Sequence, residues 1–477
     1  MDLFTQNNFN HQAEKRLLVI GHLGFLFYIL MCFIFYKERL LNNDAGYYSF
    51  HVINYEEYFV KHGRYISYFT QSLSILIMKL GGSLKSALVA YSVSPALWFY
   101  GLFLTAVYFL KSPRGGLFIL LSLILTMRYK FYAGHTEITF AIAVACFLIV
   151  WILSDKSHLR KWKTSYTALG TLILTGWLLI IHPIIVIPLF MVLGFYFLFD
   201  SKFKDPWYWV NLSIIAVLFA FRFVFVAKDG YESDKMGLLN DLSVFNSPAD
   251  YYVYHIMLQY IDRYIIIAVV VFSLSILLIL YKKKLLQAFY LLICISILTV
   301  IIIMTHSYLK GNIYIMIDGY IAMYGMIICL SIFYAFSLFP NYYQYFWILT
   351  TGLVLNASVK IYKKHDFYEN RLKQYTQLIK EQSNQGVSKI FLNYHRHDWD
   401  IFWFPYEIPL ESLIASTLDP NCPQGTIFID DQNKGYDKVI NSKTNFVAFY
   451  NEIPLNPRYF ETDTSKYVRV VEVPWKD

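Results

Sequence analysis

The chain has 477 residues, of which 57% are hydrophobic and only 16% charged, and its formal net charge is +8. An ordinary soluble domain carries about 25% charged residues, so this composition excludes a typical soluble enzyme. The apolar residues form uninterrupted runs such as 17–36 and 265–281, whose length matches the roughly 30 Å hydrocarbon core of a bilayer. The composition therefore predicts a polytopic α-helical membrane protein, surrounded by membrane lipids and without a nucleic-acid partner.

The apolar runs predict about eleven transmembrane helices. Their predicted positions are 17–36, 86–110, 115–128, 137–153, 165–181, 183–199, 208–227, 262–281, 285–305, 317–338 and 343–361. The segment 65–80 is apolar but interrupted by Ser, Thr and Gln. It is open at this point whether that segment spans the membrane, re-enters it or lies in the interface.

The basic residues of the short loops predict the orientation of the chain. Lysines and arginines concentrate before the first span and in alternate loops, namely 111–116, 155–163, 200–204 and 281–284. Because cytoplasmic loops carry an excess of these residues, we expect the N-terminus in the cytoplasm. The loops 37–64, 128–136, 228–261 and 306–316 and the C-terminus then lie outside.

The last part of the chain differs in kind from the rest. Residues 363–477 begin with a polar stretch of helical character, and short β-rich runs such as "KIFLNY" and "GTIFIDD" follow it. Turn-forming residues separate these runs. We therefore expect a transmembrane domain over 1–362 and a small extracytoplasmic α/β domain over 363–477.

The first outside loop is unusually rich in ionisable residues. Asp44 follows two asparagines just after the first predicted span, Glu56 and Glu57 lie mid-loop, and His62 and Arg64 close it. A solvated loop explains such charges equally well, but a turn presenting a carboxylate near a cation also suits a binding or catalytic site. The sequence makes this loop the first candidate for function.

A second polar cluster lies between the third and fourth predicted spans, in "MRYKFYAGHTEITF". It contains Arg128, Lys130, His135 and Glu137, with the glutamate at a helix entrance. An acid there is also expected simply because it complements the helix dipole. Two cations beside polar side chains are nevertheless what a phosphate-bearing substrate requires.

Weaker candidates lie elsewhere in the chain, and each has an ordinary structural explanation. They are His182, His306, Lys310, Asp318 and the tail group His395, His397, Asp398 and Asp400. Walker loops, dinucleotide fingerprints, H-E-x-x-H and G-x-S-x-G are all missing from the sequence, which leaves ATP-driven pumping and soluble nucleotide-sugar chemistry unsupported.

The arrangement resembles the GT-C class of integral membrane glycosyltransferases. The stretch "NNDAGYYSF…HGRYISYFTQSLSILI" is similar to the start of GtrII-like bacterial glucosyltransferases, and "FYAGHTEITF" resembles a pattern in uncharacterised bacterial GT-C-like proteins. The resemblance covers about the first 200 residues at the level of motifs. It implies a sugar donor linked by phosphate to a polyprenol, a glycan, lipid or protein acceptor, and a place in the bacterial cytoplasmic (inner) membrane.

The resemblance also implies roles for particular residues. Asp44 would be the catalytic base, and Arg64, Arg128, Lys130 and His135 would stabilise the departing phosphate. Glu137 would hold a sugar hydroxyl or orient a cation. The remaining substrate-binding candidates are Glu56, Glu57, His62, His306 and Lys310. The first loop has no Asp-x-Asp or Glu-x-Asp motif, so no cofactor is assigned and a divalent cation, Mg²⁺ or Mn²⁺, is left open.

Three alternatives to the transferase remain at this point. A transporter or flippase of lipid-linked polysaccharide would use the same cationic and aromatic residues for binding, although the chain shows no internal repeat. An O-antigen polymerase or ligase would share the donor but is expected to concentrate Arg and His in one late loop. A sensor or scaffold that works through its tail is the third alternative.

Overall fold

A computed structural model of the chain is mostly helical. The structure describes residues 11–42, 44–61, 63–127, 129–134, 137–156, 158–159, 162–200, 202–226, 237, 245–246, 252–259, 265–306, 314–393, 406–430 and 445–470. Its α-helices are α1 (His11–Ile34), α2 (Tyr36–Leu40), α3 (Asp44–Tyr55), α4 (Ser67–Lys79), α5 (Leu84–Leu104), α6 (Pro113–Ile124), α7 (Glu137–Leu153), α8 (Thr164–Ile181), α9 (Val186–Phe199), α10 (Pro206–Phe221), α11 (Tyr252–Gln259), α12 (Ile266–Tyr281), α13 (Leu285–His306), α14 (Tyr314–Ile321), α15 (Tyr324–Ser337), α16 (Phe346–Ser383) and α17 (Ile408–Leu418). Its strands are β1 (Lys389–Asn393), β2 (Thr426–Asp430), β3 (Val447–Ala448), β4 (Asn451–Glu452) and β5 (Val468–Val470).

Six of the described helices are long and apolar enough to cross a membrane, as expected for a helical membrane protein. They are Gln12–Ile34, Leu84–Phe109, Thr164–Ile181, Pro206–Phe225, Leu285–His306 and Ile317–Ser337. Four further predicted spans coincide with shorter apolar helices, and the last predicted span is the first part of α16. The count of eleven spans therefore stays a prediction.

The ambiguous segment 65–80 forms the 13-residue helix α4. At 1.5 Å per residue this helix is about 20 Å long, which is less than the roughly 30 Å needed to cross the hydrocarbon core. It packs against α5 instead. Its length favours a position beside the spans over a complete crossing.

Polar side chains cap the amino ends of α6 and α10. Ser112 accepts a hydrogen bond from the amide of Gly115 at 3.2 Å, with Pro113 in the first helical position of α6. Asp205 caps α10 in the same way, ahead of a proline. These caps satisfy amides that have no partner within their helix.

Helix α7 lies at the centre of the bundle. Nearly all of its residues are apolar, and 14 of its 17 are buried. A helix that is apolar around its whole circumference is either a core helix or a membrane span. The burial of α7 and its contacts with α5, α6, α8 and α9 show that it lies inside the bundle. Its first residue, Glu137, therefore has a fixed position at one end of the bundle.

The tail contains a small sheet. Strands β2, β1 and β5 lie in that order, all parallel, and α17 packs against β2. The boundary expected between residues 362 and 363 lies inside α16, which runs without interruption from the last predicted span into the tail. The tail and the bundle are thus connected by a continuous helix.

The tail also shares a hydrophobic core with the start of the chain. This core joins residues of α3, α4 and α5 to residues of α16, α17 and the sheet. Phe50 of α3 packs against Phe446 and Phe460, with ring centroids 5.6 and 6.0 Å apart. Apolar burial of this kind stabilises the docked tail.

Candidate functional site

The short segment 129–134 is fixed against the end of the first helices. The guanidinium of Arg39 donates to the carbonyl of Phe131 and lies 4.3 Å from the centre of its ring. The side-chain amide of Asn42 donates to the carbonyl of Tyr132 at 3.2 Å. Backbone carbonyls that are bound in this way hold the segment, and with it Lys130, opposite the first residue of α3.

Asp44 is that first residue, and it is exposed. The charge of Asp44 influences the pKa of Lys130 and the pKa of Tyr48, which lies one turn further along α3. Burial raises the pKa of Tyr48, and the carboxylates of Glu137 and Asp44 raise it further, while Arg64 acts in the opposite direction. Tyr48 therefore stays protonated and is a hydrogen-bond donor beside Asp44.

Arg64 and Glu137 form an ion pair at the end of α7. The Arg64 Nε lies 3.3 Å from the Glu137 Oε2, and the two side chains are only 6% and 18% exposed. Arg64 also donates to the carbonyl of Ile181 at 2.8 Å. The pair joins the loop before α4 to the start of α7 and the end of α8.

Lys130 lies between this pair and the segment around Asp318. Its backbone amide donates to the Oδ2 of Asp318, which is fully buried, at 2.5 Å. A Cβ atom on Gly319 would lie 3.2 Å from the Lys130 Cε, so the glycine makes room for the lysine. Burial lowers the pKa of Lys130, whereas the charges of Asp44, Asp318 and Glu137 act to raise it.

His182 lies on the other side of the pair. Burial lowers its pKa to about 3, with Arg64, Lys130 and Arg222 acting in the same direction and Glu137 against it. The imidazole is therefore neutral at physiological pH, so it contributes a polar ring rather than a positive charge.

Together these residues form a candidate site in which charges nearly balance. Its carboxylates are Asp44, Glu137 and Asp318, and its cations are Arg64, Lys130 and Arg222. An exposed carboxylate can accept a proton. Cations that are held in place near it can stabilise a negative charge that develops on the substrate. A cationic group of this kind also suits a phosphate.

The predicted residues fall into three groups. Asp44, Arg64, Lys130 and Glu137 lie together as described. Eight others lie outside the described residues, namely His62, Arg128, His135, Lys310, His395, His397, Asp398 and Asp400.

The remaining predicted residues lie apart from this group. Glu56 forms an ion pair with Arg458 of the tail at 2.9 Å, and Glu57 is exposed. His306 is buried, and its ring meets the edge of Tyr320, 4.5 Å between centroids. Tyr320 also meets His182 at 6.4 Å, so His306 borders the site without entering the charged group described above.

Sequence reasoning missed two members of the site. Arg222 lies inside a segment predicted to span, where a lone arginine near the end resembles an interfacial anchor. Tyr48 carries no charge and is one of 41 tyrosines. The sequence did contain a signal for Arg222, which lies near the end of a predicted span on the same predicted side as Asp44. It contained no signal that distinguished Tyr48 from the other tyrosines.

The possible metal has no clear place at Asp44. Among the described residues, the potential ligand atoms that come within 4.8 Å of one another in a group of three are those of His365, Asp366 and Glu369. This group lies on α16, and Lys373 pairs with its glutamate at 2.9 Å. The described residues around Asp44 therefore do not show the fit that a divalent ion requires, and no chemical step is derived through one.

Comparison of the chain with protein families, with curated proteins and with solved structures found no match.

Proposed function

We propose that the chain is a membrane glycosyltransferase, which moves a sugar from a polyprenyl-phosphate-linked donor to a glycan, lipid or protein acceptor. The observation that carries the proposal is an exposed carboxylate, Asp44, whose charge acts on Lys130 and Tyr48 together with the charge of Glu137, the partner of Arg64. These groups lie at one end of a helical bundle that has the length and composition to span a membrane. A base beside phosphate-binding cations at a membrane boundary suits a lipid-phosphate donor.

In the proposed reaction Asp44 accepts the proton of an acceptor hydroxyl. The hydroxyl oxygen then bonds to the anomeric carbon while the bond from that carbon to the phosphate oxygen breaks. Lys130 and Arg222 stabilise the negative charge on the departing lipid phosphate. Glu137 holds Arg64, and their 3.3 Å contact favours this orienting role over direct binding of a sugar hydroxyl.

The proposal includes a location. The basic loops support a cytoplasmic N-terminus, so the site and the tail would face the outside of a bacterial cytoplasmic membrane. The polyprenyl chain would lie between helices, where its apolar tail remains in hydrocarbon while the phosphate reaches the cations.

The experiment is sugar transfer from labelled lipid-linked sugars in membranes that contain the wild-type chain or Asp44→Asn. A positioned base contributes about 100- to 10,000-fold in rate, so we expect Asp44→Asn to lose at least 100-fold. Glu461→Gln is the matched control, because this exposed tail glutamate bonds Gln424 through its backbone. The control is expected to keep wild-type activity at equal protein levels.

Three outcomes would contradict the proposal in different ways. Equal transfer by the wild type and Asp44→Asn would keep the transferase but remove Asp44 as its base. Lipid-linked glycan that crosses the bilayer unmodified, with no transfer from any donor, would favour a transporter. Polymerisation of the donor's own glycan would instead favour a polymerase or ligase.

A further inference from the structure

The amino end of α17 lies against α3, close to the candidate site. A Cβ atom on Gly46 would lie 2.8 Å from the Glu411 Cγ, so the two helices come into close contact there. Glu411 is fully buried, pairs with Arg371 and accepts a hydrogen bond from Tyr375 at 3.4 Å. Its charge is thus compensated within the protein.

Glu407, one turn earlier, is in a different situation. Its Oε2 atom is buried and has no hydrogen-bond partner among the described residues. Burial raises the pKa of Glu407 well above its usual range, Asp44 and Glu411 raise it further, and Arg371 and Lys61 oppose them. A carboxyl group with a raised pKa is able to donate a hydrogen bond when it is protonated, and the Oε2 atom of Glu407 makes none with the described residues.

Aromatic rings from both parts of the chain lie near Glu407, whose charge acts on the hydroxyl of Tyr47. Tyr406, adjacent to Glu407, stacks on Phe449 with centroids 6.4 Å apart and planes at 8°. Phe449 meets the edge of Tyr47 at 5.1 Å, and the Lys61 ammonium lies over the Tyr47 ring at 4.7 Å. Tyr406 remains 46% exposed, so part of this aromatic surface faces solvent.

The backbone that presents Phe449 is unfavourable for its residue type. Phe449 and Tyr450 form the two-residue turn between β3 and β4, with φ angles of 51° and 60°. Turns with two such residues strongly prefer Asn-Gly, because a large side chain is crowded in the left-handed region. An aromatic residue in this turn points to a role for the ring that outweighs the backbone strain.

We propose that this junction, formed by Tyr47, Lys61, Tyr406, Glu407 and Phe449, is a subsite for an uncharged saccharide. Aromatic rings cover the apolar C–H faces of a sugar, and a few polar groups fix its hydroxyls, as is usual in ligand sites. The charge of nearby Asp44 disfavours an anionic ligand at this junction, whereas the phosphate of the donor suits the cations around Lys130. The assignment of this sugar as the acceptor rests on the proposed transferase function.

The test measures binding separately from transfer. Uncharged gluco-, galacto- and manno-oligosaccharides are added to the purified full chain in detergent, and contact is detected by saturation-transfer NMR. We expect at least one of these sugars to bind, and Glu407→Ala and Phe449→Asn to weaken its binding about tenfold or more. Phe449→Asn removes the ring but suits the turn, so its thermal midpoint should not fall enough to explain the loss. Glu461→Ala, the matched control, should bind like the wild type.

Each result decides between the two proposals. The subsite is wrong if no sugar of the panel binds, or if Glu407→Ala and Phe449→Asn bind as tightly as the wild type. Sugar binding without any transfer from lipid-linked donors would overturn the transferase and leave the subsite standing. Transfer that is unaffected by both variants would overturn the subsite and leave the transferase.

Discussion

Arg64 and Glu137 form an ion pair that is costly to break because both side chains are largely removed from solvent. Removal of one partner from a buried pair typically costs about 3–5 kcal/mol, since the other charge is left without compensation, whereas replacement of both by apolar residues is often neutral. We therefore expect Glu137→Leu alone to lower the thermal midpoint of the detergent-purified protein. The double variant Arg64→Leu/Glu137→Leu should recover most of that loss.

Transfer activity separates stability from function for this pair. If Arg64 and Glu137 also organise the proposed phosphate site, the stable double variant stays inactive. Recovery of both stability and transfer would show that the pair is purely structural. The exposed pair of Lys373 and Glu369 offers the comparison, because charges at such positions contribute about 0–1 kcal/mol.

At the scale of residues, the sequence indicated those site members that flank apolar segments. Asp44, Arg64, Lys130 and Glu137 stood out because they lie in or beside two loops that combine acids, a histidine and cations. The partner of Glu56 could not be predicted, since Arg458 lies 402 positions away. Pairing over such a distance depends on how the tail docks, which no local pattern encodes.

Helix contacts provide a test at the scale of elements. Gly325 of α15 lies so close to α6 that a Cβ atom would be 2.4 Å from the backbone oxygen of Ser122. The helices would have to separate to accept Gly325→Ala, and overpacking of this kind typically costs about 1–3 kcal/mol. We expect the variant to lower the thermal midpoint in detergent.

Gly176→Ala in α8 is the matched control for that substitution. Nothing lies within 4 Å of a Cβ atom at this position, so the higher helix propensity of alanine should stabilise the helix by up to about 1 kcal/mol. If both variants shift the midpoint equally, the close approach of α15 to α6 is not what makes Gly325 sensitive.

The helices themselves were the easiest elements to predict, and their ends the hardest. Each apolar run became a helix because a segment in hydrocarbon must satisfy its backbone hydrogen bonds internally. The predicted span 317–338 contains the turn at 322–323 that separates α14 from α15, and no proline marks it. The last predicted span merged with the polar stretch after it into α16, since charged residues such as Lys and Glu are good helix formers.

Across the whole molecule, the tail is attached by polar contacts as well as by the shared core. Arg458 pairs with Glu56 and donates to the carbonyls of Met78 and Gly82 at 3.0 and 3.3 Å. Asn54 of α3 donates to the carbonyl of Pro454 at 2.9 Å. These contacts hold α3 and α4 against the tail.

We expect Arg458→Ala to loosen that attachment without unfolding the bundle. Hydrogen exchange of the α3 amides should become faster, because the variant removes the hydrogen bonds of Arg458 that oppose local opening of this region. Exchange in α12, which is remote in sequence, serves as the internal reference, and Lys373→Ala serves as the matched surface variant. Unchanged exchange in α3 would mean that the apolar core alone holds the tail.

The continuous helix α16 gives the molecule a mechanical property. Its 38 residues form a helix about 57 Å long that is unbroken between the bundle and the tail. A rotation of one end about the helix axis therefore rotates the other end by the same angle. One residue inserted near position 363 would turn the rest of α16 by about 100° relative to the bundle, against the shared core that holds the tail to α3. The angle at which the tail meets the bundle is thus tied to the number of residues in one helix.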